Sequence, residues 1–421
     1  MMFYREANFK DTEIGRIPKE WEVVRLGKVL NEIKYGVTAS VTSNSGIPVL
    51  RVTDINDDGY FEPDSILCAE LPQTEVEKYR LKVGDLVIAR SGATAGKVAI
   101  YEGIPEILCF ASYLIKISPK KSVFSKFLFY FLNSEIGRAR LFSGKRGSAQ
   151  PNINSQSIKA IKIPLPPLEE QQKIAHVLMN IDKAIEAVDE AIAKAERIKK
   201  GLIQELLTRG IGHTEFKETP IGKIPKTWKV KELRDVANIV SGFTFPLELQ
   251  GKNKGKYPFV KVGDLNKFYK YVVSADNYVD DEDIEKLRGK PFPKGTIIFP
   301  KIGMAMRLNR YRILGTDALF DNNVAGVIPT RINNEFLYYY LVCKVDLIKL
   351  AGTTTVPSIT KSRLQSLKIP FPALGEQRKI AEILSSLDDI KRLKEEKKKR
   401  LVRMKRKLMD LLLTGKVRVS V

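Results

Sequence analysis

The sequence predicts an α+β fold: two similar mixed α/β domains joined by two long helices that form an antiparallel coiled coil, the whole pseudo-two-fold symmetric. Three observations carry that expectation. Phe9 opens FKDTEIGRIPKEWEVVRLGKV and, 207 positions later, Phe216 opens FKETPIGKIPKTWKVKELRDV, with Trp21 matched by Trp228. Ile161 begins IKIPLPPLEEQQKIA and Leu367 begins LKIPFPALGEQRKIA, an offset of 206, so insertions and deletions within the repeat nearly cancel. Each copy then ends in a long charged stretch free of proline. Self-similarity at a fixed period exposes an architecture before any single motif does. Two copies are too few for a solenoid and suit a partner with two-fold character, such as a DNA duplex or a pair of identical proteins.

Taken in chain order, the first domain spans residues 1–163 and reads as mixed α and β. Short β-rich runs at Ile47–Thr53 and Asp85–Ala89 alternate with glycine turns, as in twisted or barrel-like sheets. The aromatic run Phe127–Tyr130 is too short to span a bilayer and reads as buried helix. Pro164, Pro166 and Pro167 hold the next segment extended and mark where the first long helix, in region 164–210, begins. Its apolar residues fall at Ile174, Val177, Ile181, Ala184, Val188, Ala191, Ala195, Ile198 and Leu202, the three-four alternation of a coiled-coil seam. Gly210 and Gly212 stop it.

The second domain, 211–369, keeps the register of the first. Pro258–Val262 parallels Pro48–Val52, Gly295–Gly303 parallels Gly84–Gly92, and Phe336–Tyr339 parallels Phe127–Tyr130. Strands are expected at Phe259–Val262 and Thr296–Phe299. Region 370–421 opens with Pro370 and Pro372 and carries the second helix, with seam positions Ile380, Ile383, Leu387, Ile390, Leu401, Met404, Leu408 and Leu411, interrupted by Lys394 and Lys397 and stopped by Gly415.

Lengths decide how the helices run. About 40 residues make a rod of ~60 Å, whereas a domain of ~160 residues is only about 40 Å across. The second domain leaves the far end of the first helix and cannot easily return the chain along the whole rod, so antiparallel pairing is expected. Lys394 and Lys397 would then face Glu186, Asp189, Glu190 and Glu196. The end of the second helix would lie beside the first domain, bringing the termini together.

Composition narrows the partners. The 421 residues, 43% hydrophobic, suffice for two cores. A formal net charge of +22, from 71 Lys and Arg against 49 Asp and Glu, favours anionic partners, nucleic acid first. No apolar span of ~20 residues and no leader pattern is present, so no membrane role is expected and the location is read as cytoplasmic. Cys68, Cys109 and Cys343 are odd in number and widely spaced, which argues against disulfides and zinc. Sparse Gln, His and Cys beside abundant Lys and Glu are similar to a thermophile's surface chemistry.

Catalytic signatures do not assemble. His176 and His213, the only histidines, fit no ligand spacing. The loop Gly92–Val98 has one residue too few for a phosphate-binding loop and lacks the Ser or Thr that would hold magnesium. Pro166–Pro167 precedes Leu168, unlike the Asn/Asp-Pro-Pro-Tyr/Phe loop of amino-methyltransferases. Asp54, Asp57, Asp58 and Asp264 form no paired acid and lysine at fixed spacing. A chain without catalysis, metal or cofactor is expected.

The repeated Ile14–Trp21 and Ile221–Trp228 segments, and the proline-led Glu169–Ile174 and Gly375–Ile380 segments, together resemble the specificity subunit of a Type I restriction and modification system over nearly the whole chain. The resemblance implies two target-recognition domains, each reading half of a bipartite double-stranded DNA target, and helices that set the spacer and dock two methyltransferase subunits. Restriction subunits would join that core. Two basic domains on a rigid spacer would address half-sites about one helical turn, ~34 Å, apart. Phosphate contacts would position each domain while a few side chains reach base edges. Glycine-flanked basic loops supply the candidates: Arg90, Ser91, Lys97, Lys145, Arg146 and Gln150 in the first copy, Lys301, Arg307, Arg310, Thr354 and Lys361 in the second. Trp21 and Trp228, alike in domains with different targets, are expected to anchor each domain on a helix end. The basic run Lys391–Lys407 is read as a solvated helix face or a track for phosphates or an acidic partner. The rival reading is a coiled-coil adaptor with nucleic-acid-binding domains that lack sequence preference.

Overall fold

The computed structural model describes residues 3–42, 45–92, 94–142, 153–351 and 357–420. Two units divide the chain: residues 1–189 with 396–421, and residues 190–395. The long helices are continuous, Leu168–Leu206 and Leu374–Leu413. Each unit therefore owns the first half of one and the last half of the other.

In the first unit, Leu30–Tyr35, Leu114–Pro119, Leu86–Ala89 and Val98–Ile100 form an antiparallel sheet in that order. Ile47–Leu50 pairs antiparallel with Cys68–Ala69 and parallel with Cys109–Phe110. The second unit repeats the larger sheet with Ala237–Ser241, Val324–Pro329, Ile297–Pro300 and Arg312–Leu314, and adds Tyr271–Val272 as a parallel fifth strand. Tyr257–Val260, between Asn277–Val279 and Leu319–Phe320, repeats the smaller one. Leu86–Ala89 and Ile297–Pro300 are buried throughout, which explains their unbroken apolar runs. The runs expected to stay extended through Thr53 and Val262 instead turn into short 3-10 segments, Val52–Asp54 and Val262–Asn266. Asp54 and Asp264 accept the N–H of Arg51 and Lys261 at 2.8 and 2.9 Å and draw the backbone off the ladder.

The helix Ser125–Asn133 buries Lys126 to Leu132 without a break, as the sequence predicts for the aromatic run. Its counterpart is Asn334–Lys344. The first core gathers Trp21, Ile88, Ile115, Phe127 and Phe131, and is closed by Ile174 and Leu178 from the start of the first long helix and Leu412 and Leu413 from the end of the second. The second gathers Trp228, Ile297, Phe336 and Tyr339, and is closed by Ile380 and Leu384 together with Leu206 and Leu207.

Two acids, Asp182 half-buried and Asp388 buried, tie these helices to the domains. In the first unit Asp182 accepts the hydroxyls of Tyr130 at 2.7 Å and Tyr60 at 3.2 Å and pairs with Lys405 at 2.6 Å. In the second, Asp388 accepts those of Tyr339 at 2.7 Å and Tyr269 at 2.8 Å and pairs with Lys199. Burial pushes the Tyr130 and Tyr339 hydroxyls well above their ordinary pKa, so they stay protonated donors across the physiological range.

Farther along, Lys398 pairs with Asp189 at 2.7 Å in the first unit and Lys391 with Glu196 at 2.5 Å in the second. These pairs, not Lys394 and Lys397, cross the seam. Lys391 and Lys398, seven residues apart, share the flank that faces the other helix; Lys397, one residue before Lys398, is turned about 100° away, and Lys394, on the same side as both, makes no ion pair among the described residues. From Asp182 to Asp189 the partner retreats from Lys405 to Lys398, and from Glu196 to Lys199 it retreats from Lys391 to Asp388. Within each unit the two helices therefore run in opposite directions.

The expected seam is partly covered. Ile174 and Ile380 are fully buried, and Ile181 and Val188 are buried. Val177, Leu202, Leu387, Leu401 and Leu408 are half-buried, while Ile198, Ile383, Ile390 and Met404 stay exposed. A helix of 3.6 residues per turn drifts away from a strict 3.5 spacing. Ala175, Leu178, Ala381 and Leu384, off that spacing, turn into the domain cores instead.

Phe3–Arg5 pairs antiparallel with Val417–Val419, so the two ends of the chain meet, as expected. Asp388→Ala removes the buried acceptor shared by two hydroxyls and one ammonium and should cost about 3 kcal/mol, read as a lower denaturant midpoint; Asp388→Asn should recover part of it, and Asp182→Ala should loosen the first unit, as amide exchange would show. Joining the paired ends and opening the chain between His213 and Phe216 should yield a folded protein, measured by circular dichroism and cooperative melting.

Candidate nucleic-acid interface

The proline-led segments before the long helices are strands, Lys162–Leu165 and Lys368–Phe371, paired with Glu22–Arg25 and Lys229–Glu232. Extended backbone at the prolines thus becomes one strand of a two-stranded ladder. In the next turn Gln171 accepts the Phe124 N–H at 2.9 Å and donates to the Pro166 carbonyl at 2.9 Å; Gln377 does the same with Asn333 and Pro372, both at 2.8 Å.

Beside each glutamine stands a glutamate in the first turn of its helix, where the helix dipole favours negative charge; Glu170 is fully buried and Glu376 half-buried. Glu170 accepts the Trp21 indole N–H at 3.0 Å and two N–H groups of Arg418 at 2.9 Å. Glu376 accepts the Trp228 indole N–H at 2.9 Å and the Ile211 N–H at 3.0 Å, and lies 2.8 Å from His213 Nε2. Both tryptophans are almost wholly buried. Gly415 and Gly210, with φ of 71° and 69°, end the long helices. A Cβ on Gly415 would meet Pro18 at 2.4 Å, and one on Gly210 would meet Trp228 at 2.7 Å. The tryptophans are scaffold, as the sequence suggests, and His213 has a structural partner.

The candidate DNA-facing residues scatter over both units. Arg90, just past Leu86–Ala89, lies with its guanidinium 5.1 Å from the Tyr35 ring centre, and Ser91 follows it, half-buried. Lys97 turns back onto the domain, pairing with Asp57 at 2.6 Å. Lys145, Arg146, Gln150 and Thr354 lie outside the described residues. Lys301 donates to the Ser241 hydroxyl at 3.1 Å, and burial lowers its pKa. Arg307 is exposed on the 3-10 segment Met304–Leu308, Arg310 is half-buried beyond it, and Lys361 is exposed at the start of the helix Lys361–Gln365.

A basic groove not singled out by sequence reasoning runs beside the edge strand Ala237–Ser241. Arg288 and Lys290 line it with Lys361, Ile239, Val240 and Phe292, and Arg234 flanks it. Among the described residues no ion pair engages Arg288, Lys290 or Lys361. Arg288 holds a left-handed φ of 47°, and a Cβ on Gly289 would strike the Phe243 ring at 2.5 Å. The loop Arg288–Lys290 is thus held tightly against the strand end. Three residues of basic loop carry no periodicity, so only the adjacent glycine could have marked them.

Comparison with known proteins agrees with this duplicated design. The family described as the Type I restriction modification DNA specificity domain matches twice, over residues 18–197 and 225–403. The provisionally named type I restriction enzyme MjaX specificity subunit of Methanocaldococcus jannaschii is 34% identical, covering 100% of this chain and 99% of its own. The MjaVIII specificity subunit of the same organism is 30% identical, covering 100% and 98%. Among solved structures, the type I restriction-modification S subunit from M. genitalium shares the fold, with a TM-score of 0.59 at 15% identity over 95% of this chain and 97% of that one. A chain from a type I R-M assembly reaches 0.55 at 18% identity, covering 95% and 99%. With two copies of the domain and relatives matched end to end, this chain belongs to the Type I restriction modification DNA specificity family, as a non-catalytic DNA-recognition subunit.

Proposed function

We propose that each unit reads one half of a bipartite DNA duplex, and that the long helices, acting as an antiparallel coiled-coil spacer in a pseudo-two-fold molecule, set the number of unread base pairs between the halves. The recognition domains fall within 1–163 and 211–369, and the helical regions within 164–210 and 370–421. The observation that carries this reading is the repeated anchorage of each domain on both helices through Asp182 and Asp388. A domain held by two rods at once cannot pivot freely, and a spacer works only if its ends are rigid. Opposite helix directions within each unit support the antiparallel reading.

The exposed apolar residues Ile383, Ile390 and Met404, with the basic run Lys391–Lys407, suit docking of two methyltransferase subunits, with restriction subunits joining the same complex in the cytoplasm. Among the described residues no helix is long and apolar enough to cross a membrane. Arg90, Ser91, Lys301, Arg307, Arg310 and Lys361, joined by Arg288 and Lys290, are the DNA-facing set. Arg288, Lys290 and Lys361 line one groove without ion-pair partners among the described residues, which suits phosphate contacts rather than base readout.

Family membership favours this over a sequence-blind adaptor. With a cognate methyltransferase present, the complex should prefer a two-part target over random duplex by 10³-fold or more, on the order expected of specific binders. Affinity should fall steeply with salt, and replacing Lys290 should weaken all sequences alike and lower the salt slope by about one. Competition binding across a salt series checks both. Equal affinity for every duplex, or methyl transfer by this chain alone, would overturn the reading.

A further inference from the structure

Both units contain one backbone frame at the end of the larger sheet's edge strand. In the first, Gly36 donates to Leu114 O at 3.2 Å, Val37 to Phe110 O at 2.9 Å, Ser112 to Val37 O at 2.8 Å and Ala111 to Leu50 O at 2.9 Å. Arg90 donates to Tyr113 O at 3.0 Å, and its own carbonyl accepts from Ile153 at 2.7 Å. In the second, Gly242 donates to Val324 O at 3.4 Å, Phe243 to Phe320 O at 2.8 Å, Asn322 to Phe243 O and Asp321 to Val260 O at 2.9 Å. Lys301 donates to Asn323 O and accepts from Ile359, both at 2.9 Å. Bond for bond, the two frames correspond.

The glycines show why the frame admits so little variation. A Cβ on Gly36 would fall 2.3 Å from the carbonyl oxygens of Phe110 and Ala111, and one on Gly242 would fall 2.1 Å from that of Phe320. Inward positions keep their class: Phe110 answers Phe320, Leu114 answers Val324, Leu50 answers Val260, and all six are buried.

Outward positions do not. The first unit presents Tyr35, 36% exposed, with Arg90 over its ring, and Tyr113, 65% exposed. At the same places the second presents Ser241 bonded to Lys301, and then Asn323, with Asn322 beside it donating to Thr244 at 3.2 Å. Packing demands the same frame twice but leaves its outer side unconstrained, so the chemistry there is free to follow a ligand that differs between the units.

We infer that this frame presents the side chains that distinguish the two half-sites: Tyr35, Arg90 and Tyr113 in the first unit, and Ser241, Lys301, Asn322 and Asn323 in the second. The inference rests on the DNA-recognition reading and deepens it. Stacking on Tyr35 presets the planar fork of Arg90 for the paired acceptors on a guanine edge, and an exposed asparagine matches the acceptor and donor of adenine. The first half-site therefore contains a guanine read by Arg90, and the second an adenine read by Asn323.

The test uses the full chain with its methyltransferase and maps methylated sites by sequencing. Arg90→Ala or Tyr113→Ala should relax base preference in one half of the motif only, and Asn323→Ala in the other half only, each by about ten- to a hundred-fold at the affected position. Tyr113 and Asn323 are exposed and Arg90 is half-buried, and assembly with the methyltransferase confirms folding of each variant. If the native complex has a two-part motif and no variant changes it, or if binding weakens equally for all sequences, the frame does not read bases and the inference fails. If the native complex shows no motif, the underlying DNA-recognition reading fails instead.

Discussion

Asp182 and Asp388 each bring together three donors from three different elements: a tyrosine of the buried aromatic helix, a tyrosine from an earlier loop, and a lysine of the other long helix. A single carboxylate thereby couples domain, first helix and second helix. Magnitudes show why these sites dominate. Hydrogen bonds to a charged group contribute roughly 1.5–3 kcal/mol each, whereas an exposed pair such as Lys398 with Asp189 adds about 0–1. Burial raises the stakes, since a carboxylate left without partners there would have lost its water as well.

A second coupling sits at the helix starts. Glu170 and Glu376 take an indole N–H from the domain and a further partner, Arg418 or His213, from the chain just past the end of the other helix. The repeated sequence is explained by these tasks. Tryptophan, proline, glutamate and glutamine recur in both copies because each has the same scaffold partner in both units. The second partner differs, bidentate arginine in one and imidazole in the other, because that position needs only a cationic or donor group of suitable reach.

Much of the fold was legible. Proline-free stretches bounded by Pro167 and Gly210, and by Pro372 and Gly415, located both long helices to within about four residues, because a helix has strong local start and stop chemistry. Buried strands were marked by apolar runs. The 3-10 turns after Leu50 and Val260 were not, because one aspartate side chain competing for one backbone N–H leaves no periodic trace. Lys391 and Lys398 were overlooked in favour of Lys394 and Lys397, because charge content does not say which flank of a helix meets its neighbour. Of the residues proposed to face DNA, Arg90 and Lys301 stand in glycine-flanked basic loops that the sequence marks; Tyr35, Tyr113, Asn322 and Asn323 do not, since nothing in their spacing sets them apart.

By itself, then, the sequence determined the duplication, the α+β class, the two long helices and the charge that points to nucleic acid, all of which follow from local propensity and repetition. Tertiary structure alone decided which residues of distant segments meet: that Lys405 closes on Asp182, that Arg418 reaches Glu170 across 248 positions, and that Arg90 and Tyr113 share one outer edge. Such meetings depend on the packing of whole elements, and local chemistry carries no record of it.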